Sequence, residues 1–418
     1  MKKPQFIDIH ILQTVPPSNI NRDDTGSPKT AYFGGVKRSR VSSQAWKKAT
    51  RDSFSDLLDE FGLGWRTKRA ASLIAEAVAA ILPEIEDDQA EVVAEKALAA
   101  TGVKVKGGET GYLLFLSTAQ IKALASLAAQ AFEAGGAVDK KLAKEILDIK
   151  KKPTLNSIDV AMFGRMVADA PDLNVDASVQ VAHAIGIGKM NPEFDYFTAL
   201  DDCSPEDNAG AAMIETTEFT SSTMYRYATI DVLHLCENLG SAAVACRGIE
   251  AFLKAFITSM PTGKQNSFAN RTLPGAVVLQ LRDTQPVSLV NAFEKPVEAS
   301  HGKSQIEIGC ERLAKQEEAV DKAFGTTPQK TFVITASPDA QSLPGAMGVE
   351  GACSLDAAIA QISQACAAYL AENGYQTEEV DEPWRSCCSN WRVRCNRGGL
   401  RVGSLSAEQS TSRRRAAL

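Results

Sequence analysis

The chain has 418 residues with a formal net charge of −6, and 44% of the residues are hydrophobic. That composition indicates a globular protein with a large core and more than one structural lobe. No apolar run approaches the roughly 18 residues that a membrane span needs, which excludes an integral membrane protein. The nine cysteines form no C-x-x-C pair and the four histidines show no metal-ligand spacing, so we expect a cytoplasmic protein without a metal or cofactor.

The first 15 residues alternate between apolar and polar side chains. The alternation depends on Ile7, Ile9 and Ile11 and predicts a strand. No small-residue cleavage site follows, so this segment does not resemble a secretory signal peptide.

A basic segment follows a long loop. Residues 36–51 contain six Lys or Arg and no Asp or Glu, although the whole protein is acidic. Ser42 and Ser43 are N-cap residue types, and the apolar spacing predicts a helix from Gln44 through Phe61. One face of that helix then carries Gln44, Lys47, Lys48 and Arg51.

This arrangement predicts a binding site for consecutive phosphates. A helix start offers free backbone N–H groups, and cap hydroxyls with two turns of basic side chains extend the positive surface. The Gly34-Gly35 pair lets the incoming backbone turn sharply and approach a ligand. The charge continues into the preceding loop through Lys29, Lys37, Arg38 and Arg40. A solvated basic helix face is the alternative interpretation.

From about residue 67 to 152 the sequence becomes Ala-rich and predicts four helices, which together suggest an inserted helical lobe. Residues 159–169 and 175–190 return to strand or short-helix character. Residues 191–223 then form a polar excursion that ends in an alternating strand. Because the excursion is too long for an idle connection, we expect a role in binding or assembly, with disorder as the alternative.

The second half contains one strongly predicted apolar helix, at 241–261, and later an alternating strand around Leu279. Between them, a turn carries Lys264 and Gln265. These side chains fit a second phosphate or ribose contact, and a plain surface turn has the same sequence.

Several enzyme signatures are absent from the sequence. Residues 301–304 imitate the end of a phosphate-binding loop, but the earlier glycine is replaced by Val297. No G-x-G-x-x-G motif follows a strand, and no G-x-S-x-G motif occurs. The carboxylate pairs Asp23-Asp24 and Asp201-Asp202 lie in turn-rich loops, where turn formation explains them without chemistry.

Ten short motifs occur in an order that resembles one known family. They are NRDD at 21–24, FGG at 33–35, SSQ at 42–44, DVAMFGRM at 159–166, AHAI at 182–185, DYFTALDD at 195–202, TTEFTSS with YRYA at 216–228, ENLG at 237–240, GKQ at 263–265 and NAFEK at 291–295. With these motifs the chain resembles the CasC family of the RAMP superfamily, the backbone subunit of the type I-E CRISPR surveillance complex Cascade. The resemblance covers nearly the whole chain up to about residue 380.

The resemblance implies an α+β fold with the shape of a hand. A modified RNA-recognition-motif (RRM, ferredoxin-like) palm carries an inserted helical fingers lobe and an extended hairpin thumb. The implied boundaries are 1–60 and 224–380 for the palm, 61–155 for the fingers, 156–190 for the return between palm and fingers, and 191–223 for the thumb.

The resemblance also implies a non-catalytic role. Copies of the subunit stack as a helical filament along CRISPR guide RNA, and each thumb displaces a nucleotide so that the remaining bases pair with target DNA. The implied partners are guide RNA, the target DNA strand, other copies of the chain, other Cascade subunits and a recruited helicase-nuclease, with no membrane.

A protein that accepts any guide sequence must bind phosphate and sugar rather than base edges. The expected RNA-binding residues at the helix start are Ser42, Ser43, Gln44, Lys47, Lys48 and Arg51. Secondary candidates in loops and turns are Arg22, Lys29, Lys37, Arg38, Arg40, Lys264 and Gln265. Met166 matches a family position that wedges against RNA bases, whereas the residue type alone favours a core methionine.

Two other functions remain open from the sequence. Related backbone subunits cut RNA with a loop aspartate, so Asp23 or Asp24 is a candidate for metal-dependent endoribonuclease activity. A structural protein that assembles without RNA is the third possibility.

The last segment departs from the family. Residues 385–418 contain eight Arg, one Glu and no Lys or Asp, about +7, which leaves about −13 for residues 1–384. So abrupt a change predicts a disordered tail outside the packed core, and a frame change in the coding sequence is one origin. An additional RNA-binding arm is the alternative.

Overall fold

The computed structural model describes residues 3–59, 62–148, 150–199, 213–300 and 302–376. These residues belong to one unit of the chain, Met1–Glu379. The Arg-rich segment 385–418 and the Asp201-Asp202 pair lie outside the described residues, so the disordered tail stays a prediction.

Strands of very different length occur along the described chain. They are β1 (Phe6–Ser18), β2 (Thr30–Phe33), β3 (Val36–Val41), β4 (Gly64–Thr67), β5 (Val105–Lys106), β6 (Glu109–Thr110), β7 (Leu114–Ser117), β8 (Val179–Val181), β9 (Ala184–Gly186), β10 (Glu193–Ala199), β11 (Met213–Asp231), β12 (Ala276–Arg282) and β13 (Lys330–Thr335).

Helices lie between the strands. They are α1 (Ser43–Ser53), α2 (Ala70–Ile81), α3 (Asp87–Ala100), α4 (Thr118–Glu133), α5 (Lys140–Leu147), α6 (Ile158–Phe163), α7 (Val232–Leu239), α8 (Ala242–Thr258), α9 (Gln265–Phe268), α10 (Gln305–Phe324), α11 (Leu343–Ala346) and α12 (Leu355–Glu372). In the part of the chain that is described, none of them is both long and apolar enough to cross a membrane.

Nine strands form one sheet in the order β13-β12-β1-β11-β9-β3-β2, and β8 and β10 also pair with β11. Its strand pairs are antiparallel. This combination of helices with an antiparallel sheet confirms the predicted α+β class. The finer description as an RRM-type palm stays a prediction.

Strand β1 lies inside the sheet, between β12 and β11, and both of its faces are covered. On one face, Ile7, Ile9 and Ile11 are fully buried in a core that also contains side chains of α1, α7, α8 and α12. Burying each such side chain contributes about 1.5–3 kcal/mol. On the other face, Leu12 packs in a second core with Cys310 of α10. The alternation read from the sequence therefore describes one face of a strand that is buried on both.

A buried polar cluster lies beside the second core. Arg282 donates to Asp8 at 2.9 Å and lies 3.3 Å from Glu317, and the Tyr227 hydroxyl donates to Asp8 at 2.8 Å. Burial raises the pKa of Glu317 to about 7 and lowers the pKa of His10 to about 3. The charge of Arg282 opposes the shift of Glu317, but the loss of hydration outweighs it.

The Glu317→Gln variant is expected to gain stability relative to the native protein as the pH rises from 4.5 to about 7. Folding raises the pKa of Glu317 from 4.5 to about 7, so ionisation favours the unfolded chain and the native protein loses stability across that window. Glutamine does not ionise, and His10 is common to both proteins. Urea midpoints of the two proteins across this range measure the effect, and a constant difference between them would contradict the prediction.

Helices α2 to α5 occupy the stretch predicted to be helical. Two of them begin at side-chain caps: Ser117 and Gln120 form a reciprocal capping box at α4, and Asp139 accepts backbone N–H groups at α5. The capping residues agree with the sequence pattern. The boundaries given for the palm and the fingers stay predictions.

The predicted thumb segment contains a long hairpin. The first part of β11 pairs with β10, from Ala199 opposite Met213 to Glu193 opposite Phe219. The next residue, Thr220, already pairs with β1, and after a register irregularity at Ser221 that pairing continues to Asp231. One strand therefore belongs to both the central sheet and the hairpin.

The predicted helix from Gln44 through Phe61 is too long. Helix α1 ends at Ser53, and a short 3-10 turn follows at Phe54–Asp56. The Ser53 hydroxyl donates to the carbonyl of Ala49 at 3.1 Å, so a side chain competes for the backbone groups that would continue the helix. The preceding loop also differs from the prediction, because it contains the β2–β3 hairpin.

Candidate nucleic-acid interface

The start of α1 is built as its sequence predicts. Ser42 is the N-cap residue, and its hydroxyl accepts a hydrogen bond from the backbone N–H of Ala45 at 3.3 Å. The Ser42 backbone N–H donates to the side chain of Asn21 at 2.9 Å, which ties the NRDD loop to the helix start. Ser42 itself is buried, Ser43 is half-buried and Gln44 is exposed. Of the three, the latter two are placed to meet a ligand with their side chains.

The exposed part of α1 carries two lysines in different states. Lys48 forms an ion pair with Asp52 at 2.6 Å, one helical turn further on. Lys47 is half-buried, and partial burial lowers its pKa. Within the described ranges no carboxylate lies at ion-pair distance from Lys47. A partly desolvated cation without a counter-ion favours the approach of an anion.

Arg51, the third basic residue of α1, is engaged inside the protein. Its Nε donates to Asp159 at 2.8 Å, and its guanidinium lies 4.7 Å from the ring centroid of Phe115. Asp159 is fully buried, so Arg51 neutralises a carboxylate that would otherwise be isolated. Arg51 therefore connects α1 to α6, and its contact with RNA stays a prediction.

The prediction that Arg38 contacts RNA is wrong, because its guanidinium is buried and fully engaged inside the protein. Arg38 is fully buried in the β2–β3 hairpin. Its guanidinium donates to five carbonyl oxygens at 2.7–3.2 Å, those of Phe33, Gly186, Ile187, Phe293 and Glu294. The side chain has no free donor direction left for a phosphate. It fastens the hairpin to the body of the protein.

Asp23 of the NRDD loop is hydrogen-bonded to residues just after it in the chain. The Asp23 carboxylate accepts the backbone N–H groups of Thr25 and Ser27 and the Thr25 hydroxyl, at 2.7–3.1 Å. The hydrogen bond from the Thr25 hydroxyl is the main cause that lowers the pKa of Asp23. Arg22 and Asp24 are exposed. No cluster of three or more metal-ligating side chains occurs among the residues that the structure describes.

Lys29, Arg40 and His183 form a cationic group beside this loop. Arg40 donates to the carbonyl of Thr30 at 3.0 Å and lies 3.2 Å from Nδ1 of His183. Partial burial, with the charges of Arg40 and Lys29, lowers the pKa of His183. The sequence interpretation missed His183, although the AHAI motif contains it. An anion at this position lies near the positive charges of Lys29 and Arg40. Its negative charge also favours protonation of the His183 ring.

A cleft opens next to the cationic group. Its walls carry hydroxyl and amide side chains from β1, β3, β11 and the NRDD loop. The polar lining residues are Ser18, Asn21, Lys29, Ser39, Arg40, Thr220 and Ser222. Hydroxyls of this kind suit the sugar and phosphate groups of a nucleic acid and do not distinguish between bases.

The second predicted contact, the GKQ turn, lies against the same region. A Cβ atom on Gly263 would stand 2.2 Å from the carbonyl oxygen of Ile20, so only glycine allows the turn to touch the chain just before the NRDD loop. Lys264 adopts a left-handed conformation with φ of 50°, and Gln265 is exposed. The structure thus brings together two motifs that are more than 200 residues apart.

Two large side chains are unusually exposed, Met166 and Tyr32, each at 80%. Met166 follows Arg165, whose buried guanidinium donates to the carbonyls of Leu173 and Leu147 at 3.0 and 2.7 Å. Because Arg165 faces inward, its neighbour faces solvent. The core-methionine alternative for Met166 is therefore excluded. Lys37 is also exposed, opposite Tyr32 in the β2–β3 pair.

Comparisons with known proteins give a consistent result. A family model described as CT1975-like protein matches residues 7–361. A chain of a solved "CRISPR RNA-guided surveillance complex, pre-nicking" is 32% identical, with 86% of this chain and 100% of that chain covered and a TM-score of 0.74. A chain of a "CRISPR RNA-guided surveillance complex" is 28% identical, with 85% and 99% covered and a TM-score of 0.55. The comparison with curated proteins finds no match.

Proposed function

The chain belongs to the family of CT1975-like proteins, and we propose on that basis that it is an RNA-binding backbone subunit of a CRISPR RNA-guided surveillance complex. The family match agrees with the resemblance that the ten motifs predicted. Assignment to the type I-E complex Cascade, and a cytoplasmic location, are parts of this proposal.

One observation carries the proposal of RNA binding. Lys29, Arg40 and His183 lie together at a hydroxyl-lined cleft, and Lys47 of α1 has no counter-ion among the described residues. These groups suit phosphate and ribose, and such contacts need no particular base. A subunit that must accept every guide sequence needs such a surface.

The proposed mechanism combines this geometry with what the family resemblance implies. The guide RNA backbone lies along the cleft and the exposed face of α1, while the bases remain free to pair with a target DNA strand. Successive copies bind side by side along the RNA, and the β10–β11 hairpin of one copy reaches the next. DNA cutting falls to a recruited helicase-nuclease, and the subunit itself does not catalyse a reaction.

The experiment that tests the proposal starts with the purified native chain. We expect copurifying RNA, seen as a raised ratio of absorbance at 260 to 280 nm, and equal affinity for two unrelated single-stranded RNAs. The mass of the complex should increase with RNA length. RNA-free material that assembles equally well without RNA would support a purely structural protein and overturn the proposal.

The endoribonuclease alternative needs a separate measurement. Asp23 is already engaged by Thr25 and Ser27, which favours a loop-forming role over a catalytic one. We expect no metal-dependent cleavage of complementary RNA by the assembled complex. Cleavage that disappears in the Asp23→Ala/Asp24→Ala variant would establish the enzyme instead.

His183 provides a prediction about pH. In the free protein its pKa lies below the ordinary value of 6.5, so the ring is neutral at neutral pH. A bound phosphate favours the protonated ring and raises that pKa, so RNA affinity should rise as the pH falls through the pKa of the bound ring toward that of the free ring. Filter binding should show a flatter pH profile for His183→Gln than for the native protein. The His234→Gln control should keep the native profile, and identical profiles for all three proteins would contradict the prediction.

A further inference from the structure

The most exposed aromatic side chain of the described chain lies on the edge strand of the central sheet. Tyr32 of β2 is 80% exposed, and among the described residues neither its ring nor its hydroxyl has a recorded partner. Its cross-strand neighbour is Lys37 of β3, which is also exposed and has no ion pair within the described ranges. Single exposed apolar residues are common on protein surfaces, so exposure alone decides nothing.

The position of the Tyr32–Lys37 pair relative to α1 is more informative. Side chains alternate along a strand, so Lys37, Ser39 and Val41 share one face of β3. Val41 lies in the same core cluster as Trp46 of α1. The Tyr32–Lys37 pair therefore stands on the sheet face that α1 covers, beyond Ser39, which lines the cleft.

The hairpin that carries this pair is held rigidly. Arg38 bonds it to four carbonyl oxygens outside the hairpin, and Gly34 lies so close to the Glu294 carbonyl that a Cβ atom would stand 1.6 Å from that oxygen. A side chain on such a support loses little conformational freedom when a ligand stacks on it. An exposed aromatic ring beside a lysine is the combination with which proteins hold unpaired nucleotides irrespective of sequence.

We propose that Tyr32 is a stacking platform for one base of the bound single-stranded RNA and that Lys37 contacts the adjacent phosphate. This inference depends on the proposed RNA binding and adds a base contact to a surface otherwise made for phosphate and sugar. Stacking on the face of a base requires no particular sequence, so the site remains compatible with any guide.

The test compares Tyr32→Ala with Tyr32→Phe and Tyr32→Trp, using a single-stranded RNA and a matched RNA in which abasic riboses replace the nucleosides. Tyr32→Ala should bind the normal RNA about tenfold more weakly, whereas the two aromatic variants should retain native affinity. On abasic RNA, the native protein and Tyr32→Ala should bind equally. The control Phe324→Ala removes an equally exposed ring and should change neither affinity.

The salt dependence of RNA affinity distinguishes the role of Tyr32 from that of Lys37. Tyr32→Ala should leave the slope of log affinity against log salt unchanged, whereas Lys37→Ala should reduce it by about 0.7. A Tyr32→Ala loss that persists on abasic RNA would assign the ring to a contact between copies and overturn the inference. Native-like binding by Tyr32→Ala would also overturn it and leave the proposed function intact, whereas a native protein that binds no RNA would refute the proposed function itself.

Discussion

The Arg282→Met variant is expected to lower the free energy of unfolding by about 3–5 kcal/mol. Arg282 is fully buried, and its guanidinium donates to Asp8, to Gln280 and to the carbonyl oxygen of Thr326. Methionine fills much of the same volume without a charge. Its introduction leaves the Asp8 carboxylate buried without its cation, and that isolated charge is the main cost.

Urea denaturation at fixed pH measures the loss. The control Arg271→Met removes an exposed arginine and should stay within about 0.5 kcal/mol of the native protein. Adding Asp8→Asn to Arg282→Met should restore part of the stability, because the orphaned carboxylate is then gone. A loss below about 1 kcal/mol for the single variant would show that Asp8 is protonated or hydrated in the native state.

The second large effect concerns the basic surface. Replacing Lys29, Lys37, Lys47 and Lys48 with alanine should weaken binding to single-stranded RNA by roughly 200-fold at about 0.15 M salt. Each lost phosphate contact removes the release of about 0.7 counter-ions, so the slope of log affinity against log salt should fall by about 2.8. The loss should be the same for unrelated RNA sequences, because these contacts do not involve bases.

The matched control variant also loses four positive charges, in another part of the protein. Lys96, Lys140, Lys141 and Lys150 are exposed residues in or beside the helices between α3 and α6. Their replacement with alanine should reduce affinity only through the weak long-range field. If both quadruple variants lose affinity equally, RNA binding follows net charge and the surface around α1 has no special role. A loss that depends on RNA sequence would also argue against it.

Local signals made several elements predictable. The alternating isoleucines of β1, the Ser42 cap of α1 and the apolar helix α8 follow from short-range patterns that the fold retains. Each pattern is set by neighbours within a few residues, so no knowledge of the tertiary structure is needed. The α+β class and the family resemblance followed from the order of the motifs.

Long-range partners explain what the sequence did not reveal. Arg51 looked like a phosphate ligand because its partner, Asp159, is 108 residues away. Arg38 is held by the carbonyl of Phe293 at a separation of 255 residues. The charged run around Arg38 also concealed the alternation of β3, because a buried arginine there takes the place of an apolar side chain. Exposure is likewise a tertiary property, which is why Tyr32 and His183 were not recognised as candidates.

The continuity of β11 has a mechanical consequence. Its 19 residues, each rising about 3.3 Å, form a beam of roughly 60 Å whose inner part is clamped in the central sheet. The strand changes partners between Phe219 and Thr220, and its register with β1 shifts between Ser18 and Val15, so Ser221 at the root has no recorded partner in β1. Outside this irregularity, seven consecutive pairs with β10 hold the strand extended as far as Met213. A repeated assembly built from such parts would take its step length from strand geometry rather than from an adjustable linker.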